Sequence, residues 1–215
     1  MLSAGFAASP FHAIMEADRK PAPTDENSRD ILLMERIGAG DHRAFRELVE
    51  RHQHAIVGTV AKMLGNASEA EDISQQVFLR VWRHAKRYRP DAKFTTYLFT
   101  ITRNLAINQA RRRKRSPVRN ITELNLEGVD LSSDPYQVAT RATDELEKQE
   151  EIAQVLKALD DLPADQKEVI VLGVFQDLSY AEMEQITGTK AVTLRSRMFH
   201  GLKRLARLVG GGKDQ

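Results

Sequence analysis

The 215-residue sequence predicts an all-α fold, on the grounds of its composition and the spacing of its apolar residues. Hydrophobic residues make up 41% of the chain and aromatic residues only 6%, with a single tryptophan. Alanine, leucine and long charged side chains are abundant in the chain, and these residues lose little rotamer freedom in a helix. Apolar residues recur at three- and four-residue steps, and no segment shows the two-residue alternation of a half-buried strand.

The first half of the chain predicts three helices. The apolar residues of 45–64 share one helical face, and Gly65 and Asn66 stop this helix. Ser68 and Glu71 have the spacing of a capping box, which predicts that the second helix begins there. Its apolar arc contains Ile73, Val77, Phe78, Val81 and Trp82. Residues 88–91 interrupt the pattern, and the third helix is expected to begin at Thr95 or Thr96.

The second half predicts a helix-turn-helix. Helical periodicity resumes near residue 146, stops at Leu162 and Pro163, and restarts before residue 174. Ser179 and Glu182 form a second capping-box pair, and Gly188 supplies the permissive backbone that a tight turn between helices often needs. A longer helix is expected from about residue 191. Its predicted buried stripe is Leu194, Met198, Leu202, Leu205 and Leu208.

Charge is distributed very unevenly along a chain whose formal net charge is only +2. Residues 103–115 hold six basic and no acidic side chains, and residues 186–209 hold six more basic ones. Between them, residues 116–151 contain nine acidic and three basic side chains. Two basic segments separated by an acidic bridge predict two contacts with one polyanion such as DNA.

Several other classes of protein are disfavoured. The absence of cysteine removes disulfides, thiolate zinc sites and thiol catalysis, and it favours the cytoplasm. No apolar run is long enough for a membrane-spanning helix, and residues 1–15 lack the basic leader of a secretory signal. His52 and His54 are two residues apart and therefore cannot share a helical face as metal ligands. We expect neither a metal, a cofactor nor an enzymatic activity.

Two blocks of sequence resemble one known family. Residues 70–82 (AEDISQQVFLRVW) are similar to the polymerase-binding helix of extracytoplasmic-function sigma factors, and residues 93–106 are similar to their promoter-melting segment. Residues 159–205, with LSYAE at 178–182 and VTLRSR at 192–197, resemble the promoter-reading C-terminal domain of the same family. Both blocks stand in the family's order and spacing, and together they span about residues 29–208.

The resemblance implies a set of contacts with the core polymerase and with both promoter elements. Where the family commonly has glutamate this chain has Gln76, and where it often has arginine this chain has His200. Phe94 is expected either to stack on a minus-ten base or to be an ordinary core aromatic. The implied core-polymerase contacts are Asp72, Gln75, Gln76 and Leu79; the minus-ten contacts are Lys93, Phe94, Thr95, Asn104, Asn108, Arg111 and Arg112; the minus-35 contacts are Thr193, Arg195, Ser196, Arg197, Phe199, His200 and Lys203.

The predicted organisation is two small helical domains joined by a linker. We expect a flexible extension over 1–28, a polymerase-binding and minus-ten domain over 29–115, an acidic linker over 116–144, a helix-turn-helix domain over 145–209 and a tail over 210–215. The resemblance implies an alternative, stress-responsive sigma factor with core RNA polymerase, promoter DNA and an anti-sigma factor as partners. The alternative is a stand-alone helix-turn-helix regulator that binds its operator without polymerase.

Overall fold

A computed structural model describes residues 25–115 and 152–210, and in both ranges the only regular secondary structure is helical. The all-α fold class is confirmed. The linker and most of the two terminal segments named above lie outside the described residues. The eight α-helices of the described ranges are α1 (Asp25–Gly38), α2 (His42–Leu64), α3 (Ala67–His84), α4 (Phe94–Arg115), α5 (152–160), α6 (Ala164–Ile170), α7 (Tyr180–Thr187) and α8 (Ala191–Gly210).

Helices α1 to α4 pack around one apolar core. Met34 of α1, Leu48 and Ile56 of α2, Val77 of α3 and Leu98 of α4 are all fully buried. The predicted arc of α3 is confirmed, because its other members are also buried apart from Trp82, which is half-buried beside Phe45 and His42. Side chains three and four positions apart lie on one helical face, so the opposite face of α3 is left to solvent.

The start of α3 differs from the prediction. Gly65 ends α2 in the left-handed conformation at φ 65°, as expected of a glycine after a helix. Asn66 then caps α3, since its side-chain oxygen accepts a hydrogen bond from the backbone N–H of Glu69 at 3.2 Å. The predicted capping box of Ser68 and Glu71 is therefore wrong, because both residues already lie inside the helix. Asparagine and serine are equally good N-cap residues, so residue type does not distinguish Asn66 from Ser68. Gly65 ends the preceding helix directly before Asn66, and Asn66 rather than Ser68 therefore caps α3.

Helix α1 was not predicted, since the sequence indicated three helices in this half and the first of them corresponds to α2. Helix α1 starts at Asp25, a few residues before the expected beginning of folded chain near Ser28. Its buried residues include Leu33, Met34 and Ile37, which close one side of the core against α2. Helix α4 starts at Phe94 rather than at Thr95 or Thr96.

The C-terminal helices confirm the predicted helix-turn-helix. The hydroxyl of Ser179 accepts a hydrogen bond from the N–H of Glu182, whose carboxylate accepts one from the N–H of Ser179, so the capping box is complete. Gly188 ends α7 at φ 68°, and α8 begins three residues later at Ala191. One feature was not predicted: α6 continues into a π-helical segment, Val171–Phe175, whose wider turn the apolar periodicity did not indicate.

The buried stripe of α8 is confirmed in its first part only. Leu194, Met198 and Leu205 are buried and Leu202 is half-buried, but Leu208 is 41% exposed, so its assignment to the core was wrong. Val209, the next residue, packs against the core in its place. Gly201 of α8 is buried against α6. A Cβ at this position would stand 2.9 Å from Cδ1 of Ile170, the last residue of α6.

Replacement of Gly188 by alanine is expected to destabilise the helix-turn-helix by about 1 kcal/mol, because an L-residue strains in the left-handed region. A Cβ at this position meets no atom within 4 Å, so backbone strain is the sole cost. Gly210→Ala adds a Cβ in equally open space without a positive φ and serves as the control. Urea unfolding followed by circular dichroism measures both; equal stability of the two variants contradicts the expectation.

Candidate nucleic-acid interface

The four residues predicted to contact the polymerase share one exposed surface of α3. Asp72, Gln75 and Gln76 are exposed, and Leu79 is 50% exposed although it is a large apolar side chain. They follow one another at helical spacing, so the structure brings all four together opposite the buried arc. A partner that docks on this face can therefore contact all four side chains at once.

A second exposed row runs along α4. Asn104, Asn108, Arg111 and Arg112 are all exposed, and their offsets of four, seven and eight residues place them on one side of the helix. The row is roughly 12 Å long at the usual rise of an α-helix. The two amide side chains lie toward the N-terminal end of the row and the two guanidinium groups toward its C-terminal end. The row can therefore hydrogen-bond to bases at one end and attract phosphates at the other.

The residues at the start of α4 are more enclosed. The ring of Phe94 is fully buried and packs against His52, Tyr88 and Tyr97 at centroid distances of 5.3 to 6.2 Å. Burial raises the pKa of Tyr97, and burial together with the neighbouring Tyr97 raises that of Tyr88 to about 12. Of the two alternatives for Phe94, this placement favours the core aromatic, because no face of the ring is offered to a base.

The outer face of α8 carries most of the predicted minus-35 residues. Phe199 is 60% exposed and stands edge-on to the ring of His200 at 5.4 Å. The guanidinium of Arg195 lies over the ring of Tyr180, 5.2 Å from its centroid, which orients it at the start of the helix. The structure also exposes the remaining predicted residues of this face, which are Thr193, Ser196 and Lys203.

Arg197 is separated from this group. Two residues after Arg195 it points to a different side of α8, where its Nε lies 3.3 Å from Oδ2 of Asp165 on α6. Its side chain also lines a groove of about 510 Å³ between the two halves of the protein. The expectation that Arg197 contacts DNA backbone beside Lys203 stays a prediction, and the geometry gives it no support.

Among residues 25–115 and 152–210, two ion pairs join the N-terminal helices to the C-terminal ones. Nζ of Lys93, before α4, lies 2.7 Å from Oε1 of Glu182 on α7. Arg103 of α4 donates to both carboxylate oxygens of Glu168 on α6, at 2.6 and 3.4 Å. Glu168 is only 9% exposed. Neither partnership is visible in the sequence, because the paired residues are at least 65 positions apart.

The pKa of Glu182 reflects this contact. Burial alone would raise it, but the Lys93 ammonium and the Ser179 hydroxyl and N–H favour the carboxylate, so that the pKa is lowered. Because the pKa is lowered, these contacts of Glu182 stabilise the fold at pH values above the ordinary carboxyl pKa. The stabilisation is lost as the pH falls through the lowered pKa. The Glu182 carboxylate is therefore charged and able to pair with Lys93 near neutral pH.

Two of the three histidines of α2 make contacts within the protein. His52 bonds to the carboxylate of Asp30 at 2.9 Å, and His42 stacks on Trp82 with ring centroids 4.7 Å apart. Within residues 25–115 and 152–210 there is no group of three side chains suited to a metal ion. No helix in the same ranges is long and apolar enough to cross a membrane.

A helix-turn-helix with a basic outer face, together with a second basic helix, defines a two-part DNA-binding protein. Comparison with known families specifies it further. Residues 48–116 match the model of Sigma-70 region 2, and residues 148–205 match that of Sigma-70, region 4. The chain belongs to the sigma factors of bacterial RNA polymerase, in their extracytoplasmic-function group.

Two curated relatives illustrate the similarity. The chain is 32% identical over 179 residues to the RNA polymerase sigma-H factor of Pseudomonas aeruginosa, covering 80% of this chain and 89% of that protein. It is 28% identical over 176 residues to the ECF RNA polymerase sigma-E factor of Escherichia coli strain K12, covering 81% and 91% of the two chains.

Two solved structures share the fold. The structure of CnrH in complex with the cytosolic domain of CnrY matches with a TM-score of 0.62 at 22% identity, covering 87% of this chain and 99% of that one. The sigma factor RpoE in complex with the anti-sigma factor NepR from Bartonella quintana matches with a TM-score of 0.61 at 24% identity, covering 80% and 98%. This protein is accordingly an alternative sigma factor, which binds core RNA polymerase and directs initiation at particular promoters.

Proposed function

We propose that this sigma factor divides its work among three surfaces. The exposed face of α3, around Leu79, docks on core polymerase. The row on α4 and the segment before it open and hold the minus-ten element, and the outer face of α8 reads the minus-35 element. The observation that carries this proposal is the convergence of 14 of the 18 predicted site residues on exposed faces of three helices, each opposite a buried face.

Promoter opening at the α4 surface needs no covalent chemistry. Once a non-template base leaves the stack, hydrogen-bonding groups and cations must hold it to offset the lost stacking energy. Asn104 and Asn108 supply amide donors and acceptors, and Arg111 and Arg112 neutralise phosphates upstream. Lys93 and Thr95 are partly exposed at the start of the same helix, whereas Phe94 between them is buried in the core. Protein groups thus stabilise the separated strands without reacting with them.

Reading of the minus-35 element takes place in the major groove, which admits an α-helix. Arg195 can contact guanine O6 and N7 through two parallel hydrogen bonds, and Phe199 offers an apolar edge to a thymine methyl group. Lys203, two turns further along α8, attracts phosphate without preference for sequence. His200 offers a single ring N–H where an arginine would offer a fork, so its base contact is weaker.

The two DNA-reading surfaces must move apart on a promoter. The minus-ten and minus-35 elements lie about 25 base pairs apart, or roughly 85 Å along the duplex. In the free chain Lys93 contacts the helix that precedes α8, and Lys93 and Arg195, one residue from each surface, line one interdomain cleft of about 460 Å³. Both ion pairs between the halves therefore break when the chain engages polymerase and DNA.

Loss of the buried pair should release the two halves. Arg103→Glu leaves Glu168 unpaired and repelled in a buried position, at a cost to the closed form of about 2 kcal/mol. Small-angle scattering of the free variant is expected to show a larger radius of gyration, and Arg103→Glu combined with Glu168→Arg to restore the compact value. Arg36→Ala removes an exposed pair within α1–α2 and is the control. An unchanged radius in Arg103→Glu contradicts the expectation.

Several further features follow from membership of the family rather than from contacts. Solved relatives are bound to anti-sigma factors, which supports the same control here. The predicted domain boundaries at 29–115 and 145–209 enclose most of both matched regions, and the acidic linker would pass between them. We place the protein in the cytoplasm, where polymerase is, and assign it no enzymatic activity and no cofactor.

A gel-shift experiment separates this proposal from the stand-alone regulator. Labelled promoter fragments are mixed with the chain alone, with core polymerase alone and with both. We expect a specific shift only with both, because the two DNA-reading surfaces of the free chain are held together. Tight, sequence-specific binding by the isolated chain would favour the regulator, but the match to both sigma regions supports the sigma factor.

A further inference from the structure

The first backbone N–H of α4 is held by a side chain from a distant part of the chain. The N–H of Phe94 donates to Oδ1 of Asn27 in α1 at 2.9 Å, across 67 positions of sequence. A helix start leaves four N–H groups without helical acceptors, and an asparagine oxygen is among the best substitutes. Asn27 therefore acts as a cap supplied by another helix, and it fixes where α4 begins.

A second polar residue of α1 reinforces the same point. Asp30 is 2% exposed, and its two carboxylate oxygens accept from Nε of Arg51 at 3.0 Å and contact Nε2 of His52 at 2.9 Å. The ring of His52 then packs on Phe94 at a centroid distance of 5.3 Å. Because a buried carboxylate is costly unless it is fully paired, this cluster holds α1, α2 and the start of α4 in one arrangement.

The anchored residue lies between two residues assigned to the minus-ten element. Lys93 precedes Phe94 and Thr95 follows it, and both are partly exposed while Phe94 is fully buried. The position of Phe94 thus determines where its two neighbours are presented. A backbone that is fixed in advance at Phe94 needs no further ordering when a base arrives, which favours capture of the base.

We propose that Asn27 is a positioning residue for promoter opening, which acts through the backbone of Phe94 to hold Lys93 and Thr95 against the escaping minus-ten base. The inference rests on the proposed minus-ten surface. It extends the functional part of the chain to α1, which lies before the region matched by the family model, beginning at residue 48.

The test compares Asn27→Ala with Asn27→Asp in holoenzyme assembled from the full-length chain and core polymerase. Aspartate keeps an oxygen acceptor, and its negative charge is favourable at a helix N-terminus. Permanganate reactivity of minus-ten thymines measures the rate of opening. We expect about five-fold slower opening for Asn27→Ala, the factor that loss of one capping bond gives, and a rate close to wild type for Asn27→Asp. Wild-type opening by Asn27→Ala overturns the proposal.

A pre-melted template separates positioning from a general loss of structure. Mismatches across the minus-ten region remove the need to open the duplex, so transcription by Asn27→Ala should recover to within about two-fold of wild type. Equal impairment on duplex and pre-melted templates means that the substitution merely damages the fold, and this also overturns the proposal. Binding of the variant to core polymerase is expected to be unchanged.

A double variant distinguishes failure of this inference from failure of the proposed minus-ten surface. If Asn27 acts through Lys93, Asn27→Ala should slow opening little further in a Lys93→Ala background, because coupled residues are not additive. Fully additive effects overturn the positioning role of Asn27. If neither Lys93→Ala nor Thr95→Ala alters opening, the minus-ten surface itself is wrong, and the inference is rejected along with it.

Discussion

Replacement of Arg195 by alanine is expected to abolish most of the preference for the correct base at one position of the minus-35 element. A bidentate arginine–guanine contact contributes about 1–3 kcal/mol of discrimination, which corresponds to roughly five- to 150-fold. Arg195 is exposed at the start of α8, and its stacking on Tyr180 holds the guanidinium outward. Competition between promoter fragments that differ at single positions, measured with holoenzyme, shows which position loses its preference.

Two matched variants sharpen this test. Arg195→Lys keeps the positive charge but loses the planar fork, so it should lose discrimination while retaining more of the overall affinity. Lys203→Ala, on the same exposed face, should weaken binding to all fragments equally. It should also reduce the slope of the logarithm of the binding constant against the logarithm of the salt concentration by about one. If Arg195→Ala and Lys203→Ala have the same uniform effect, Arg195 touches only phosphate and the base-reading assignment is refuted.

Removal of the polar side chains on α3 is expected to prevent assembly with polymerase. Asp72→Ala combined with Gln75→Ala should weaken binding to the core by about 2–3 kcal/mol, or roughly 30- to 150-fold, because a few central residues dominate most protein interfaces. Both side chains are exposed and precede Leu79 on the same face of α3. Fluorescence anisotropy of labelled sigma factor, titrated with core polymerase, gives the dissociation constant directly.

The control for this surface lies on a neighbouring helix. Glu50 is an exposed acidic residue of α2, and Glu50→Ala changes the net charge as much as Asp72→Ala does. Its affinity for core polymerase should stay within about two-fold of wild type, because exposed side chains away from an interface contribute little. Wild-type affinity of the α3 double variant would place the polymerase contact elsewhere on the molecule.

Local patterns predicted the elements that local chemistry determines. The two faces of α3 follow from apolar spacing alone, because residues three and four apart must share a face. The Ser179–Glu182 capping box and the turn at Gly188 were predicted since their partners lie within a few residues. The exposed faces of α3, α4 and α8, where most of the predicted site residues lie, follow from the same periodicity.

The remaining features depend on tertiary contacts that no local pattern encodes. Asn27 and Phe94 are 67 positions apart, and Arg103 and Glu168 are 65 apart. At Asn66 and Ser68 two equally good capping residues competed, and the left-handed glycine beside Asn66 decided the outcome. Phe94 has the residue type that stacks on bases, yet three aromatic neighbours enclose it. The sequence could not show which aromatic residues would be covered.

The interdomain contact changes how the free protein is understood. Lys93 and Arg195, one residue from each of the two proposed DNA-reading surfaces, line a common cleft, and Lys93 is paired with Glu182. If the proposed surfaces are correct, association with polymerase supplies the binding free energy that separates the halves, and promoter recognition is coupled to assembly. This coupling gives a physical reason for the weak DNA binding expected of the chain alone.

Run-off transcription tests the central claim most directly. Purified chain and core polymerase are combined with linear genomic fragments carrying minus-ten and minus-35 elements, and transcripts of defined length are measured against core polymerase alone. The account predicts discrete transcripts only when both proteins are present, with promoter choice altered by Arg195→Ala and transcripts lost when Asp72 and Gln75 are both replaced by alanine. Failure of the wild-type chain to bind core polymerase, with no transcript from any fragment, would contradict it.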